Sequence, residues 1–492
     1  MIKSGDQSRD AAPPPLASSF RDPNGALFCS ESRIFRVVNA AGLADLRAFL
    51  SSAAARKWAE SGRLVRTQAL DDAAQNELLR DPRVAELFAG IHGAAILEHE
   101  RIPFPSFPYE WPPEMLHAAA VLTLEAALDF LPESLGLKDA TPYNVLFRGP
   151  APVFIDVLSF EPRDPCDSVW LPYAQFIRTF VLPLLANRHF GFAVDQLLFT
   201  KRDGLEPEEV YRWLGLLQRV RPRFLSLVSM PVWLSARGNR DDASIYRRKL
   251  QSDPEKARFI LRALLKGLKR TVASLEPRRG AVSAWTGYME DNNNYTAEHF
   301  RAKSRFVEEF LANHAPKRVL DVGCNTGHFS FLAAKAGAAV TAIDYDPAVL
   351  GAVWRTAVAE KLDVLPLVVN LTRPTPGVGW RNREWPSFLD RSQGAFDAVL
   401  MLAVVHHMLV TERVPLNDIV DLAAELTSDY LVIEFVSPED SMFRRLVRGR
   451  EELYRGLDAS VFETSCRRRF EIVRSQHIEG ETRWLYLMRR RG

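Results

Sequence analysis

Apolar and polar positions alternate most regularly in the C-terminal part of the chain. Short apolar runs typical of buried strands occur at 318–322 and 339–343, and the spacing of apolar residues at 329–335 indicates a helix between them. Further runs predict three more strands and a final antiparallel pair (364–369, 395–402, 431–436, 470–475 and 483–488). Because strands and helices alternate, the pattern predicts an α/β domain built on a seven-stranded sheet.

The N-terminal part has a mixed pattern. Alternation with a period of two at 33–38 predicts a strand, whereas helical spacing occurs at 114–131 and over much of 193–280. The first residues are polar and then proline-rich, which indicates disorder. The predicted organisation is a disordered lead (1–19), an α+β domain (20–280) and the domain with the seven-stranded sheet (281–492).

Composition and charge narrow the functional class. With 492 residues the chain is too long for one typical core, and its 47% hydrophobic and 25% charged residues are ordinary for a globular protein. A formal net charge of +2 argues against a dedicated nucleic-acid binder. The four widely spread cysteines form no CxxC pair, so we expect neither disulfides nor structural zinc, and a cytoplasmic location. Apolar runs of about 18 residues or more are absent, which predicts no membrane span.

A glycine loop follows the first predicted strand of the C-terminal domain. Gly323 and Gly327 allow backbone angles and a close approach that a Cβ would block. Asp321 precedes the loop, and Asp344 ends the next strand, where a carboxylate can hold two ribose hydroxyls. The residues between the glycines are Cys324, Asn325 and Thr326. This arrangement predicts a nucleotide-type site at the strand ends.

The same arrangement resembles the class I S-adenosylmethionine (SAM)-dependent methyltransferases. The resemblance implies a Rossmann-like fold, SAM as cofactor and methyl transfer as the reaction. It implies that Asp321 binds the cofactor ammonium, that Gly323 lies beneath the cofactor and that Asp344 binds the ribose. The other implied cofactor contacts are Tyr295, Cys324, Asn325, Thr326, Gly327, Tyr345, Asn370 and Leu371. A Rossmann-like domain for another nucleotide is the alternative, and Tyr295 is equally suited to an N-terminal helix contact.

Candidate catalytic residues follow two later strands. His406 and His407 come after the fourth predicted strand, and Glu434 ends the fifth, where open α/β sheets place ligand-binding groups. An imidazole titrates near neutrality, so either histidine is a candidate general base for a hydroxyl acceptor. Shaping the pocket and capping the next helix is an alternative role for these histidines. We predict no metal site in this domain, because adjacent histidines point apart and no third ligand has suitable spacing.

A second group of chemical residues lies in the N-terminal part, at Asp139, Asn144 and Asp156. Their spacing resembles the large lobe of protein kinases and aminoglycoside phosphotransferases. The resemblance implies a kinase-like fold in which Asp139 acts on a hydroxyl and the other two hold Mg²⁺ with ATP. The histidine expected before Asp139 is absent, and residues 20–70 contain no glycine-rich phosphate loop. Turn and hairpin roles for the same residues are the alternative.

These observations leave three hypotheses for function. The first is a SAM-dependent methyltransferase that acts on a small-molecule or saccharide acceptor at oxygen. The second is a bifunctional protein whose N-terminal half is a phosphotransferase, and the third is a non-catalytic N-terminal module that docks a partner or carrier-bound substrate. With Trp380-Arg381-Asn382, His406-His407, Ile433-Glu434-Phe435 and the stretch from Lys138 to Asp156, the chain resembles a bacterial group of methyltransferases that includes nodulation-associated proteins.

Overall fold

Two halves make up the structure, a computed structural model that describes residues 21–30, 32–237, 250–278, 297–478 and 482–491. The N-terminal half combines helices with small antiparallel sheets, and the C-terminal half is α/β, as predicted. The predicted domain boundary at 281 lies outside the described residues and stays a prediction. A kinase-like fold for the N-terminal half is not confirmed.

The N-terminal half contains a four-stranded antiparallel sheet in the order β1-β2-β4-β3 and two short hairpins, β5 with β8 and β6 with β7. The strands are β1 Gly25–Ser30, β2 Arg33–Asn39, β3 Thr67–Ala69, β4 Gly93–His99, β5 Leu135–Leu137, β6 Val145–Arg148, β7 Ala151–Phe154 and β8 Phe160–Pro162. The helices are α1 Ala40–Leu50, α2 Ala53–Glu60, α3 Asp72–Leu78, α4 Pro82–Gly90, α5 Pro113–Phe130, α6 Tyr173–Phe176, α7 Leu182–Phe190, α8 Val194–Thr200, α9 Pro207–Trp213, α10 Leu216–Arg219, α11 Pro222–Phe224, α12 Met230–Arg237 and α13 Pro254–Ser274.

Helix α5 is the centre of the N-terminal core. Its residues Met115, Leu116 and Leu124 have no exposed surface. By length and composition the stretch Pro113–Glu133 is able to cross a membrane, yet 61% of its most apolar window is buried inside the protein. Burial against other elements explains the apolar sequence of this helix.

The C-terminal half is organised around the predicted seven-stranded sheet, in the order β11-β10-β9-β12-β13-β15-β14. Its strands are β9 Arg318–Val322, β10 Ala339–Asp344, β11 Val364–Val368, β12 Phe396–Met401, β13 Thr427–Val436, β14 Phe470–His477 and β15 Arg483–Arg490. Its helices are α14 Ala297–His314, α15 His328–Lys335, α16 Pro347–Glu360, α17 Phe388–Ser392, α18 Val405–Val410, α19 Leu416–Leu426, α20 Ser441–Val447 and α21 Ala459–Cys466. Strands β9 to β13 pair in parallel, and β15 is antiparallel to β13 and β14. The parallel strands therefore end together at one edge, where binding sites of such sheets form.

Two apolar layers cover the faces of this sheet. One contains Val319 and Val340 of the strands with Phe306 of α14. The other is continuous with the core of the N-terminal half, so that a single buried cluster runs from Val38 to Met488. The two halves thus share one core, and their relative position is set by direct packing.

The N-terminal half covers the edge strand β11. The β6–β7 turn lies against it so closely that a Cβ on Gly149 would come within 2.5 Å of the Asp363 carboxylate. The indole N–H of Trp354 in α16 donates to the carbonyl of Pro150 in the same turn, at 3.0 Å. Covering an edge strand prevents its unpaired backbone groups from pairing with another chain.

A buried ion pair reinforces this interface. Arg391 of α17 binds Glu110 of the N-terminal half, with 4% and 0% of the two side chains exposed. The guanidinium also lies 4.8 Å from the ring centre of Phe107 and 5.2 Å from that of Phe104. Arg391 follows residues 372–387, which connect α17 to the end of β11. Through Arg391, the N-terminal half therefore anchors the segment that connects the carboxyl end of β11 to α17.

Candidate functional site

A cavity of about 560 Å³ opens at the carboxyl ends of β9, β10, β11 and β12. It brings together most of the residues predicted from the sequence. These are Asp321, Gly323, Cys324, Asn325, Thr326, Asp344, Tyr345, Asn370, Leu371 and His407. Gly327 shapes the loop without lining the cavity, and Tyr295 lies outside the described residues.

The glycine loop needs its glycines. Gly323 has φ +69° and Gly327 has φ +84°, a left-handed region that side chains disfavour. A Cβ on Gly327 would lie 2.9 Å from the ring of Phe331, and one on Gly323 would lie 3.3 Å from the side chain of Val404. The second contact shows that the segment after β12 passes directly over the loop.

The loop is tied to the neighbouring strand. The backbone N–H of Asn325 donates to Asp344 Oδ2 at 3.1 Å, and Oδ1 of the same carboxylate accepts from the Asp346 N–H at 3.1 Å. The side-chain oxygen Oδ1 of Asn325 is buried and has no hydrogen-bond partner in the described part of the chain. A buried polar atom of this kind indicates a place for a ligand or a water molecule.

Asp321 is buried at the base of the cavity. Its Oδ2 accepts from the hydroxyl of Ser330 at 2.6 Å. Burial, together with the nearby charge of Asp344, raises the pKa of Asp321 to about 6. Burial also raises the pKa of the Cys324 thiol, so this cysteine stays protonated and does not act as a nucleophile. The carboxylates of Asp321 and Asp344 beside the glycine loop favour a cationic or hydrogen-bond-donating ligand.

His407 is the predicted catalytic residue that lines the cavity. It stands in the first turn of α18, directly after the segment that passes over Gly323. Burial and the charge of Arg483 lower the pKa of His407, so its ring is neutral at neutral pH. His406 packs against it with ring centres 4.3 Å apart, but is 2% exposed and does not line the cavity.

Glu434 is part of a buried ion network beside the cavity. Its Oε2 lies 2.6 Å from Nζ of Lys303, and its Oε1 lies 3.3 Å from Arg483. Arg483 in turn binds Asp440 at 2.8 Å. The carboxylate of Glu434 has no exposed surface and does not line the cavity, whereas Lys303 does. We therefore assign Glu434 to holding Lys303 in position.

Helix α14 contributes to this cavity, which the sequence did not predict. Phe300 and Lys303 of that helix line it together with His328. The ring of Phe300 lies 4.5 Å from that of His328, whose Nε2 is 2.9 Å from the hydroxyl of Ser304. The spacing of Phe300 and Lys303 in the sequence fits a helix, but it does not show which face of that helix lines the cavity.

The N-terminal constellation forms a network of internal contacts. Arg36 of β2 lies 3.1 Å from Asp156 Oδ1, and the hydroxyl of Ser159 donates to Asp156 Oδ2 at 2.6 Å. The amide of Asn144 donates to the same hydroxyl at 3.0 Å. The charge of Asp156 contributes, after burial, to raising the pKa of Asp139, so the acids are close. Each oxygen of Asp156 has a partner within the protein, and a phosphotransfer role for Asp139, Asn144 and Asp156 stays a prediction. Among the described residues no group of three or more His, Cys, Asp or Glu side chains is placed to hold a metal ion.

Comparison with known proteins identifies relatives of both halves. The family described as "Methyltransferase domain" matches residues 295–464. The nodulation protein NoeA of Rhizobium meliloti (strain 1021) is 32% identical over 485 residues, which cover 98% of this chain and 97% of that protein.

Solved structures with similarity to this chain include two methyltransferases. The N-methyltransferase NodS from Bradyrhizobium japonicum WM9, in complex with S-adenosylhomocysteine (SAH), is 15% identical, covers 43% of this chain and 94% of its own, and has a TM-score of 0.31. The bifunctional kinase-methyltransferase WbdD is 18% identical, covers 43% of this chain and 42% of its own, and has a TM-score of 0.28.

Proposed function

This chain is a SAM-dependent methyltransferase that belongs to the family of the nodulation protein NoeA, and we propose that it methylates an oxygen atom of a small-molecule or saccharide acceptor. The cavity at the strand ends is the proposed site. Its walls suit SAM, since Gly323 leaves space that a Cβ would narrow and Asn325 offers a buried acceptor without a partner among the described residues. We assign Asp321 to the cofactor ammonium and Asp344 to the ribose hydroxyls. When bound, SAM supplies a methyl group that its sulfonium already activates.

Asn370 is the proposed reader of the adenine. Its Oδ1 accepts from both the backbone N–H and the hydroxyl of Thr372, at 3.0 and 2.6 Å. These bonds use the two lone pairs of the oxygen, so the amide NH₂ is the group that remains for the base. We therefore infer that Asn370 donates to a ring nitrogen, while Tyr345 and Leu371, which also line the cavity, flank the ring.

The single observation that carries the oxygen proposal is a neutral histidine in the wall of the cavity. His407 faces the same cavity as the glycine loop, and its lowered pKa keeps it able to accept a proton at neutral pH. A hydroxyl must lose its proton on methylation, whereas an amine that attacks as the free base needs no base in the same step. We therefore assign His407 to removing the hydroxyl proton at one of its ring nitrogens.

His406 and Glu434, the other two predicted catalytic residues, are assigned to supporting His407 and the acceptor. His406 is buried behind His407, and burial holds its pKa well below the usual range, so it stays neutral. Glu434 fixes the ammonium of Lys303 at the cavity wall through the 2.6 Å contact. We infer that Lys303 binds an acceptor oxygen, which makes a neighbouring hydroxyl more acidic.

For the N-terminal half, we infer a non-catalytic role. Residues 372–387 begin beside Asn370 in the cavity wall and end at α17, which Arg391 ties to Glu110. This connection favours a module that supports and helps to recognise the acceptor over a second enzyme. Titration of Mg·ATP into the whole protein tests this non-catalytic role, because measurable binding of Mg·ATP would support a phosphotransferase instead.

Transfer of a labelled methyl group tests the main proposal. SAM labelled in the methyl group is incubated with saccharide and small-molecule fractions of a cell extract, and the product is hydrolysed and separated. An O-methyl product is expected, and an N- or C-methyl product would overturn the oxygen assignment. His407→Gln should lower kcat by about 10²–10⁴-fold while the affinity for SAH is retained. His477→Gln, which changes an exposed histidine of β14, is the matched control and should leave kcat unchanged.

A further inference from the structure

A short turn of the N-terminal half displays apolar side chains in water. The turn segment, which we define as residues 215–223, contains α10 and the start of α11. Its Leu216, Leu217 and Val220 are 79%, 81% and 59% exposed. Single exposed leucines are ordinary, but two adjacent leucines and a valine on one turn form a contiguous apolar tip, which marks an interaction site.

The tip is held rigidly. The carbonyl of Leu214 accepts from Nε of Arg219 at 3.2 Å, and the guanidinium of Arg219 lies 4.1 Å from the ring centre of Tyr211. The hydroxyl of Ser229 donates to the Arg219 carbonyl at 2.8 Å. Trp233, itself 39% exposed, donates from its indole to the Tyr211 hydroxyl at 3.1 Å. The leucines are thus presented by a folded scaffold, next to an exposed tryptophan.

The same segment carries a cluster of cations. Arg221 and Arg223 are exposed, and Arg223 lies 3.1 Å from His189 at the end of α7. After burial, the charges of Arg223, Arg188, Arg278 and Arg221 lower the pKa of His189, so several arginine charges act on this part of the surface. At the start of α9, Glu206 binds Arg178, Glu209 binds Lys201, and Glu208 accepts from the hydroxyl of Ser235.

We propose that the turn segment docks this protein on the surface of an anionic phospholipid bilayer. A partner must satisfy two requirements, an apolar medium for Leu216 and Leu217 and anionic groups for the arginines beside them. A nucleic acid supplies the charge without the apolar medium. An anionic bilayer supplies both, because lipid phosphates lie directly above the acyl chains. Trp233 is suited to the same depth, since tryptophan favours the membrane interface.

This docking is peripheral and independent of the proposed methyl transfer. The long apolar helix α5 is buried against other elements of the protein. We therefore assign membrane attachment to the exposed turn segment and not to this helix. Partly inserting two leucines adds apolar transfer free energy, and arginines near an anionic surface add an attraction that salt weakens. Apolar and electrostatic contributions together distinguish a bilayer from a purely charged partner.

Sedimentation with vesicles tests the proposal on the full-length protein. Vesicles of phosphatidylcholine alone are compared with vesicles that contain about 30% phosphatidylglycerol, at low and high salt. The protein should bind the anionic vesicles and be released by salt. Leu216→Gln with Leu217→Gln should weaken binding about tenfold or more. Arg221→Gln with Arg223→Gln should weaken it about thirtyfold, because each arginine near the surface contributes about 1 kcal/mol.

Matched controls separate the proposed site from general charge. Arg66→Gln with Arg80→Gln removes two exposed arginines from another surface and should leave vesicle binding unchanged. Leu453→Gln, at a leucine that is 71% exposed in the C-terminal half, should also have no effect. Absence of vesicle binding by the wild type would overturn the proposal. So would an equal loss of vesicle binding in the control variants, full binding by the variant with both leucines replaced, or retention on an acidic nucleic acid without retention on vesicles.

Discussion

The pKa of Asp321 predicts how cofactor affinity depends on pH. In the free protein this buried carboxyl titrates at about 6. A bound ammonium beside it stabilises the ionised form and lowers that pKa. The amino group of SAH stays protonated between pH 7 and pH 5, so it is a suitable ligand. Affinity for SAH should therefore be full above the pKa of the free carboxyl and fall below it.

The expected magnitude follows from the fraction of ionised Asp321. With a pKa of about 6 in the free protein and a much lower value in the complex, the dissociation constant rises by a factor of 1 + 10^(6−pH). The ratio of about 11 at pH 5 to about 1.1 at pH 7 gives an approximately tenfold loss of affinity. This is a free-energy difference of about 1.4 kcal/mol.

Isothermal titration of SAH into the protein at several pH values measures this effect. In Asp321→Asn the affinity at pH 7 should be about tenfold or more lower, because a hydrogen bond to a charged group is lost. Its pH dependence should largely disappear, leaving what Asp344 contributes. Asp195→Asn is the matched control, since burial also raises the pKa of Asp195 to about 6 but this residue does not line the cavity. A wild type without pH dependence, or an Asp321→Asn variant whose affinity still falls tenfold between pH 7 and pH 5, would refute the assignment.

Three further changes test the supporting structure. Glu434→Gln should lower the free energy of unfolding, measured in urea, by about 3–5 kcal/mol, because it removes a buried charge that Lys303 contacts. An unchanged midpoint of urea unfolding would contradict the role of this buried ion network. Arg391→Met should have a similar effect by leaving the charge of Glu110 buried at the interface of the halves, and a loss under about 1 kcal/mol would argue against it. Gly327→Val should reduce SAH affinity through backbone strain of about 1–3 kcal/mol and the clash with Phe331, which calorimetry would detect as a tenfold or greater loss.

Local patterns in the sequence predicted the sheet and its loop well. The strand predicted at 318–322 is observed as Arg318–Val322, and Asp344 ends the next strand as expected. These features depend on neighbours in the chain, namely apolar runs that are buried on both sides and glycines at a turn.

Features that depend on distant residues were not predictable in this way. Glu434 was predicted as a catalytic group because it ends a strand, and that role stays a prediction. The strand pattern could not show its buried contact with Lys303, which lies 131 positions earlier in another helix. The ring of Trp385 lies 4.9 Å from that of Tyr143, which makes it a contact between the halves. The hydrophobic periodicity of one segment does not show which residues of a distant segment it contacts.

The single apolar core that extends through both halves has a consequence for limited proteolysis. Cleavage of the backbone between residues 279 and 296 removes one covalent connection but none of the described packing at β11, α16 and α17. The two fragments should therefore remain a single particle on size-exclusion chromatography and separate only in denaturant. Neither fragment, expressed alone, would have a partner for the apolar surface that the other now covers, so a gene split at this point should give functional protein only when both pieces are made in the same cell.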